Sequence, residues 1–231
     1  MKKHERILGV LGGMGTYAGL NFVNNFLKEW QAIYQIKKEW DYPHFILDNN
    51  CKLPSRVRHI LYKEKSPLSG MIKSIKKLKN AGANVVVIPC NTAHYFLGRI
   101  RDKVNIEVLD MIDLLFKYLK QKKIRNIHVL ASEGTILANL YGGYNKNIKV
   151  KYAEDKEILR KVIEDVKNND ITEETIINFK KLLDKKSYNV LGCTEFPLIY
   201  FQNIRLFDDY KIIDTEEITI KYLVRYMKYE K

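Results

Sequence analysis

Two cysteines occupy positions from which their thiols could do chemistry. Cys90 lies in the segment PCNTAH, after the apolar run 85–89, and Cys193 lies in GCTEFP, after the short run 189–191. Each follows a predicted buried strand and precedes residues that can begin a helix, whose N-terminal partial charge stabilises a thiolate. A lone buried cysteine is usually a small apolar side chain, so the pair is the informative feature.

A thiol and a thiolate on opposite sides of a pocket could invert the configuration of a carbon atom. One sulfur would remove a proton from that carbon while the other delivered a proton to its opposite face. Such a site must also bind the adjacent carboxylate. Backbone N–H groups and short polar side chains are suited to this task, and the segments next to the cysteines supply Asn91, Thr92 and Thr194.

Strand and helix patterns alternate along the chain, which predicts parallel α/β units with right-handed connections. The predicted strands are 6–11, 44–47, 84–89, 106–109, 127–131, 188–191 and 211–213, and the predicted helices are 20–37, 66–81, 111–122, 155–168, 172–186 and 216–229. Ligands bind at the carboxyl ends of such strands, where both cysteines are expected. The turn 132–135 begins the second half much as the glycine-rich turn begins the first.

These patterns predict an α/β fold with two pseudo-symmetric, Rossmann-like lobes, parallel sheets and an active-site cleft between the lobes. The N-terminal lobe would comprise 1–103 and 211–231 and carry Cys90. The C-terminal lobe would comprise 104–210 and carry Cys193. The last helix is expected to return to the first lobe.

The glycine-rich turn GGMG, residues 12–15, follows the first strand and is interpreted as a cradle for a small anion or carboxylate rather than a nucleotide. Thr16 could cap the next helix, in which Phe22, Phe26 and Ile33 are expected in the core. Arg56 is expected in a loop at a strand's end, where it could bind a carboxylate or be a surface arginine. Cys51 is expected to serve packing.

Composition limits the other function classes. The chain has 231 residues, 46% of them hydrophobic and 29% charged, which predicts a globular protein with a substantial core. The net charge of +13 comes from lysines scattered over helical segments, so a nucleic-acid partner is considered unlikely. Three cysteines without a CxxC spacing predict free thiols and no metal site. The apolar run near the N-terminus is too short for a signal or membrane segment, so a cytoplasmic location is expected.

The motifs GGMG, PCNTAH and GCTEFP, in this order, resemble those of the aspartate/glutamate racemase superfamily, and specifically its cofactor-independent aspartate racemase branch. The resemblance covers essentially the whole chain. It implies two pseudo-symmetric lobes, a cysteine from each as the acid/base pair, catalysis without pyridoxal phosphate or another cofactor, and frequent dimerisation. The expected partners are a small acidic amino acid and a second copy of the chain, with no membrane.

Residue by residue, the resemblance implies that Cys90 and Cys193 are catalytic and that several neighbours bind the substrate. Arg56 and Lys167 would hold its side-chain carboxylate, and Glu195 could orient Cys193 or cap the next helix. The remaining substrate-binding candidates are Met14, Asn49, Asn91, Thr92 and Thr194. Two positions depart from the family pattern, namely Thr16 in place of the usual proline and Ile163 where a tyrosine often precedes the lysine.

The leading hypothesis is therefore a racemase of L- and D-aspartate, or of glutamate, that uses the two cysteines as its bases. A related isomerase or decarboxylase of another dicarboxylate would use the same cysteines. A redox protein with a reversible disulfide, or a nucleic-acid-binding protein, is the alternative from another class.

Overall fold

The computed structural model describes residues 6–228, and within this range the chain forms two four-stranded sheets in which every neighbouring pair of strands is parallel. The first sheet has the order β2-β1-β3-β4 and the second has the order β6-β5-β7-β8. The two orders are the same when each sheet's strands are numbered from its own start, so the predicted pseudo-symmetric α/β fold is confirmed. The strands are β1 Leu8–Gly12, β2 Phe45–Asn49, β3 Val85–Val87, β4 Glu107–Val108, β5 Asn126–Leu130, β6 Lys149–Tyr152, β7 Tyr188–Leu191 and β8 Lys211–Asp214.

Helices cover the faces of both sheets, which is why the central strands read as continuous apolar runs. All three residues of β3 are buried. The helices are α1 Thr16–Ile33, α2 Arg56–Tyr62, α3 Leu68–Asn80, α4 Leu97–Arg101, α5 Met111–Gln121, α6 Glu133–Leu137, α7 Lys156–Lys167, α8 Glu173–Lys181, α9 Phe196–Gln202 and α10 Thr215–Lys228. None of those lying within residues 6–228 is long and apolar enough to cross a lipid bilayer.

The chain crosses between the sheets at different residues from those predicted. Strand β4 pairs with β3 in the first sheet, although 104–210 had been assigned to the second lobe. Strand β8 pairs with β7 in the second sheet, although 211–231 had been assigned to the first lobe. Helix α10 does pack against the first lobe, where Leu223 and Val224 join the apolar cluster that contains Leu8 and Phe22. The predicted lobe ends 1–5 and 229–231 lie outside the described residues.

Several local predictions need correction. Gly15 is the N-cap residue of α1, and the Thr16 hydroxyl instead contacts the Cys51 thiol at 3.0 Å. Cys51 is exposed, so it does not serve core packing. Phe22 and Phe26 are buried, but Ile33 is 42% exposed because it is the last residue of α1, beyond the buried Trp30.

Candidate active site

Cys90 and Cys193 occupy equivalent places in the two lobes. Cys90 follows β3, which pairs with β1, and Cys193 follows β7, which pairs with β5. Strands β1 and β5 are the first in the chain to enter their sheets. Cys90 is 6% exposed and Cys193 is 8% exposed. Burial raises the pKa of the Cys193 thiol, and the negative charges of Glu195 and Cys90 raise it further, whereas Lys167 opposes them. The segments that carry the two cysteines are in contact, because the hydroxyl of Thr194 donates to the carbonyl of Pro89.

Glu195 orients Cys193. The Cys193 thiol donates to Oε2 of Glu195 over 2.9 Å, and Nζ of Lys167 lies 3.8 Å from Oε1 of Glu195. Glu195 precedes α9, but its side chain makes no capping hydrogen bond there. Of the two roles considered for this residue, the structure therefore shows the contact with the thiol. A buried carboxylate beside a thiol can accept its proton, and a nearby ammonium group favours the resulting thiolate.

The glycine-rich turn of the first lobe reaches this carboxylate in the second lobe. A Cβ atom placed on Gly15 would lie 3.1 Å from Oε1 of Glu195 and 3.6 Å from Cγ of Lys167. Gly13 has a φ of +83°, and a Cβ atom there would overlap the backbone of Asn50. Glycine is required at position 13 by its backbone conformation, and the absence of a side chain at position 15 allows the two lobes to approach closely.

Met14 is part of the same turn, and Asn49 lies next to it. Met14 is buried in the apolar cluster that also contains Cys90. The amide oxygen of Asn49, the last residue of β2, is 3.0 Å from the position of a Cβ atom on Gly12. Of the two predicted substrate-binding residues, Met14 therefore lies in the turn that faces Glu195 and Lys167, and Asn49 lies beside that turn.

Arg56 also binds this turn. It is the first residue of α2 rather than part of a loop, because the Ser55 hydroxyl caps the helix by accepting the N–H of Arg58. Its Nη2 atom donates to the carbonyl of Met14 over 3.0 Å, and Nη1 donates to the carbonyl of Pro54 over 3.3 Å. Its buried Nε atom has no hydrogen-bond partner within residues 6–228. The guanidinium thus holds the turn and keeps one donor available.

Asn91 and Thr92 make hydrogen bonds from the first lobe to the second. Oδ1 of Asn91 accepts from the hydroxyl of Tyr141 over 2.9 Å. The Thr92 hydroxyl is hydrogen-bonded to those of Ser132 and Thr135 at 2.8 and 3.0 Å. All these side chains are buried. The two predicted substrate ligands thus join the lobes directly beside Cys90.

Thr194 and Thr215 complete the junction. The Thr194 hydroxyl donates to the carbonyl of Pro89 over 3.4 Å. The Thr215 hydroxyl donates to the carbonyl of Leu191 over 2.9 Å and accepts from Nδ2 of Asn91 over 3.4 Å. Sequence reasoning missed Tyr141 and Thr215, since neither follows a cysteine-bearing strand. The turn 132–135 resembles the glycine-rich turn of the first lobe in sequence, but its contacts with Thr92 were not predicted.

His94 does not act on the Cys90 thiol. Its Nε2 atom accepts the backbone N–H of Met111 over 3.1 Å, so the proton is on Nδ1, which donates to the carbonyl of Cys90 over 3.0 Å. Burial lowers the pKa of His94, which keeps the ring neutral. The histidine therefore fixes the backbone that carries Cys90. Elsewhere in the described chain, no three His, Cys, Asp or Glu side chains are grouped as metal ligands.

Comparisons with known proteins give a matching family model and several similar proteins. The family model described as Asp/Glu/Hydantoin racemase matches residues 11–223. The broad specificity amino-acid racemase RacX of Bacillus subtilis is 26% identical over 136 residues, which cover 58% of this chain and 58% of that protein. The glutamate racemase of Aquifex pyrophilus is 29% identical over 157 residues, which cover 61% of this chain and 57% of that protein. Both matches thus span less than two thirds of the curated relative.

Among solved structures, the aspartate racemase of Picrophilus torridus is similar to nearly the whole chain. Its TM-score is 0.83 at 25% identity, with 96% of this chain and 94% of that chain covered. An aspartate racemase homologue from Pyrococcus horikoshii OT3 has a TM-score of 0.73 at 20% identity, with 97% and 100% covered. The second likeness shows the shared fold.

Proposed function

The chain belongs to the Asp/Glu/hydantoin racemase family, and from this premise we propose that it interconverts L- and D-aspartate by proton transfer at Cys90 and Cys193, without pyridoxal phosphate. The observation that carries the proposal is the equivalent placement of two buried cysteines at the ends of matching strands in two sheets of the same order. Aspartate is the proposed substrate because this chain and the Picrophilus torridus aspartate racemase match over 96% and 94% of their lengths with a TM-score of 0.83.

In the proposed reaction one cysteine, as the thiolate, takes the α-proton, so an S–H bond forms as the C–H bond breaks. The electron pair of that bond delocalises into the adjacent carboxylate. The other cysteine, as the thiol, then gives its proton to the opposite face of the α-carbon and becomes a thiolate. For Cys193, the thiolate arises when Glu195 accepts the proton across the 2.9 Å hydrogen bond.

The remaining candidates bind the substrate and stabilise its charge. We propose that Lys167 and the spare Nε donor of Arg56 bind the side-chain carboxylate, because they lie on either side of the turn at Met14. Asn91, Thr92 and Thr194 would exchange some of their contacts between the lobes for hydrogen bonds to the α-carboxylate. Donors positioned in a water-poor site stabilise developing charge more strongly than water does.

The test compares Cys90→Ser and Cys193→Ser with Cys51→Ser, which alters the exposed third cysteine. Each active-site variant should lose racemisation by at least about 100-fold, the usual contribution of a positioned acid or base. In deuterated water, each should exchange the α-proton of only one enantiomer, because a single base serves one face. Chiral chromatography and mass spectrometry of recovered aspartate measure both effects. Full activity in either active-site variant would contradict the scheme, whereas Cys51→Ser should match the wild type.

Substrate preference and assembly are separate parts of the proposal. Parallel assays with aspartate, glutamate and neutral amino acids should give the highest kcat/KM for aspartate. We also propose a homodimer, as the family resemblance implies. Sedimentation velocity should then give about twice the chain mass of 27.2 kDa.

A further inference from the structure

Two buried carboxyl groups flank Thr215 in the chain and have no part in the scheme above. Asp214 is 3% exposed and Glu216 is 0% exposed. Oδ1 of Asp214 accepts the N–H of Glu216 over 2.9 Å, and Oε1 of Glu216 accepts from Asn21 over 3.2 Å. The second oxygen of each carboxyl group, Oδ2 of Asp214 and Oε2 of Glu216, is buried without a hydrogen-bond partner in the described part of the chain.

The segment 214–216 lies between the loops that carry the cysteines. Its central residue, Thr215, is hydrogen-bonded to Asn91, which follows Cys90, and to the carbonyl of Leu191, which ends the strand before Cys193. Asp214 also lines a surface cavity of about 320 Å³, together with Lys28, Glu29 and Glu217. Of the two carboxyl groups, that of Asp214 therefore reaches the cavity, whereas Glu216 is fully buried next to Thr215.

Electrostatics favour protonated carboxyl groups here. Burial raises the pKa of Glu216, the negative charge of Asp214 and, to a smaller extent, that of Glu195 raise it further, and hydrogen bonds from neighbouring asparagine side chains oppose them. Burial likewise raises the pKa of Asp214, and the negative charge of Glu217 raises it further. Glu195 also has one buried oxygen, Oε1, to which no group within residues 6–228 donates a hydrogen bond. A protonated carboxyl group can donate as well as accept, so such groups can pass a proton along.

A reaction with two bases needs a route for protons between turnovers. After each inversion, the cysteine that donated is a thiolate and the cysteine that accepted is a thiol. The free enzyme must exchange these states before it binds the same enantiomer again. Cys90 and Cys193 therefore each require a path to a proton donor or acceptor.

We propose that Glu195, Glu216 and Asp214 form a chain of carboxyl groups through which Cys193 exchanges its proton with solvent between turnovers. This inference rests on the proposed function. The S–H bond of Cys193 breaks as an O–H bond forms on Glu195, Glu195 passes a proton to Glu216, Glu216 passes one to Asp214, and Asp214 releases one to water in the cavity. Cys90 takes up one proton from water, so charge is conserved and no electrons are transferred.

The test uses Glu216→Gln and Asp214→Asn, which keep the shape and the acceptor oxygens but cannot relay a proton in the same way. An equilibrium mixture of labelled L- and D-aspartate receives excess unlabelled L-aspartate. If the return step limits turnover, the enzyme form left by L-to-D conversion captures labelled D-aspartate, and the label moves transiently towards L. In the variants this displacement should begin at a substrate concentration about 100-fold lower than in the wild type, because a positioned proton-transfer group is lost.

The matched control is Asp184→Asn, at the opposite end of β7, where the carboxylate accepts from Ser187. It should behave as the wild type does. Equal thresholds in the wild type, Glu216→Gln and Asp214→Asn would overturn the relay. Should neither variant fold, Glu216→Asp serves instead. It keeps a carboxyl group but draws it back by one methylene, so its threshold should also fall below that of the wild type. An unchanged threshold in Glu216→Asp would overturn the relay. A wild type that does not racemise aspartate at all would instead refute the proposed function.

Discussion

Replacing Glu195 with glutamine separates the chemistry of the carboxylate from its shape. In the wild type the Cys193 thiol donates to Glu195 over 2.9 Å. The amide of glutamine can still accept this hydrogen bond, but it cannot take up the thiol proton. Loss of a positioned general base lowers kcat by about 10²- to 10⁴-fold. At about 1.36 kcal/mol for each tenfold change, this corresponds to roughly 2.7–5.4 kcal/mol of transition-state stabilisation.

The effect on stability should be much smaller. Glutamine also removes the ion pair with Lys167, whose atoms are 3.8 Å apart and whose lysine side chain is 40% exposed. Solvent screening limits a pair of this kind to about 1 kcal/mol or less. A large loss of kcat with a small change in the free energy of unfolding is therefore the expected combination.

The assay follows racemisation of L-aspartate by circular dichroism and unfolding by urea, with Glu133→Gln as the control. Glu133 forms an ion pair with Arg160 at 2.5 Å in the same lobe. The charge of Glu195 adds to burial in raising the pKa of Cys193, so in Glu195→Gln this thiol should react with iodoacetamide at lower pH. If Glu195→Gln keeps kcat within about threefold of the wild type, the carboxylate is not the base for Cys193.

Three further predictions concern the supporting structure. Tyr141→Phe leaves Oδ1 of Asn91 without its 2.9 Å hydrogen bond, so the free energy of unfolding should fall by about 1–3 kcal/mol in urea titrations. Burial raises the pKa of Asp214 to about 7, so the folded state loses stability as the pH rises from the ordinary carboxyl value of 3.8 towards 7. Asp214→Asn should reduce this loss to the part that Glu216 contributes, which urea titrations at pH 4.5 and 8 would detect, and an equal loss in the variant would contradict the assignment. Gly13→Ala should cost about 1–3 kcal/mol because φ is positive there, whereas Gly98→Ala, with open space around it, should not.

The sequence alone was sufficient to predict the α/β fold and the placement of both cysteines. Apolar runs such as 85–89 and helical spacing are local signals, and the carboxyl end of a parallel strand follows from them. The bounds of β7 agree with the prediction at both ends, Tyr188 and Leu191. Short elements were missed, including β6 and the five-residue helices α4 and α6, because a single turn or a half-buried strand has too few residues for a period.

Only the tertiary structure decided which residues complete the site. Asn91 contacts Thr215 across 124 positions and Thr92 contacts Ser132 across 40, and no local period records such pairings. The role of Glu195 depended on the direction of its side chain, since an N-cap residue and a partner of Cys193 occupy the same place in the sequence. The lobe boundaries likewise depended on which sheet β4 and β8 join. Local periodicity determines the elements, whereas contacts between distant segments form only once the two sheets have packed.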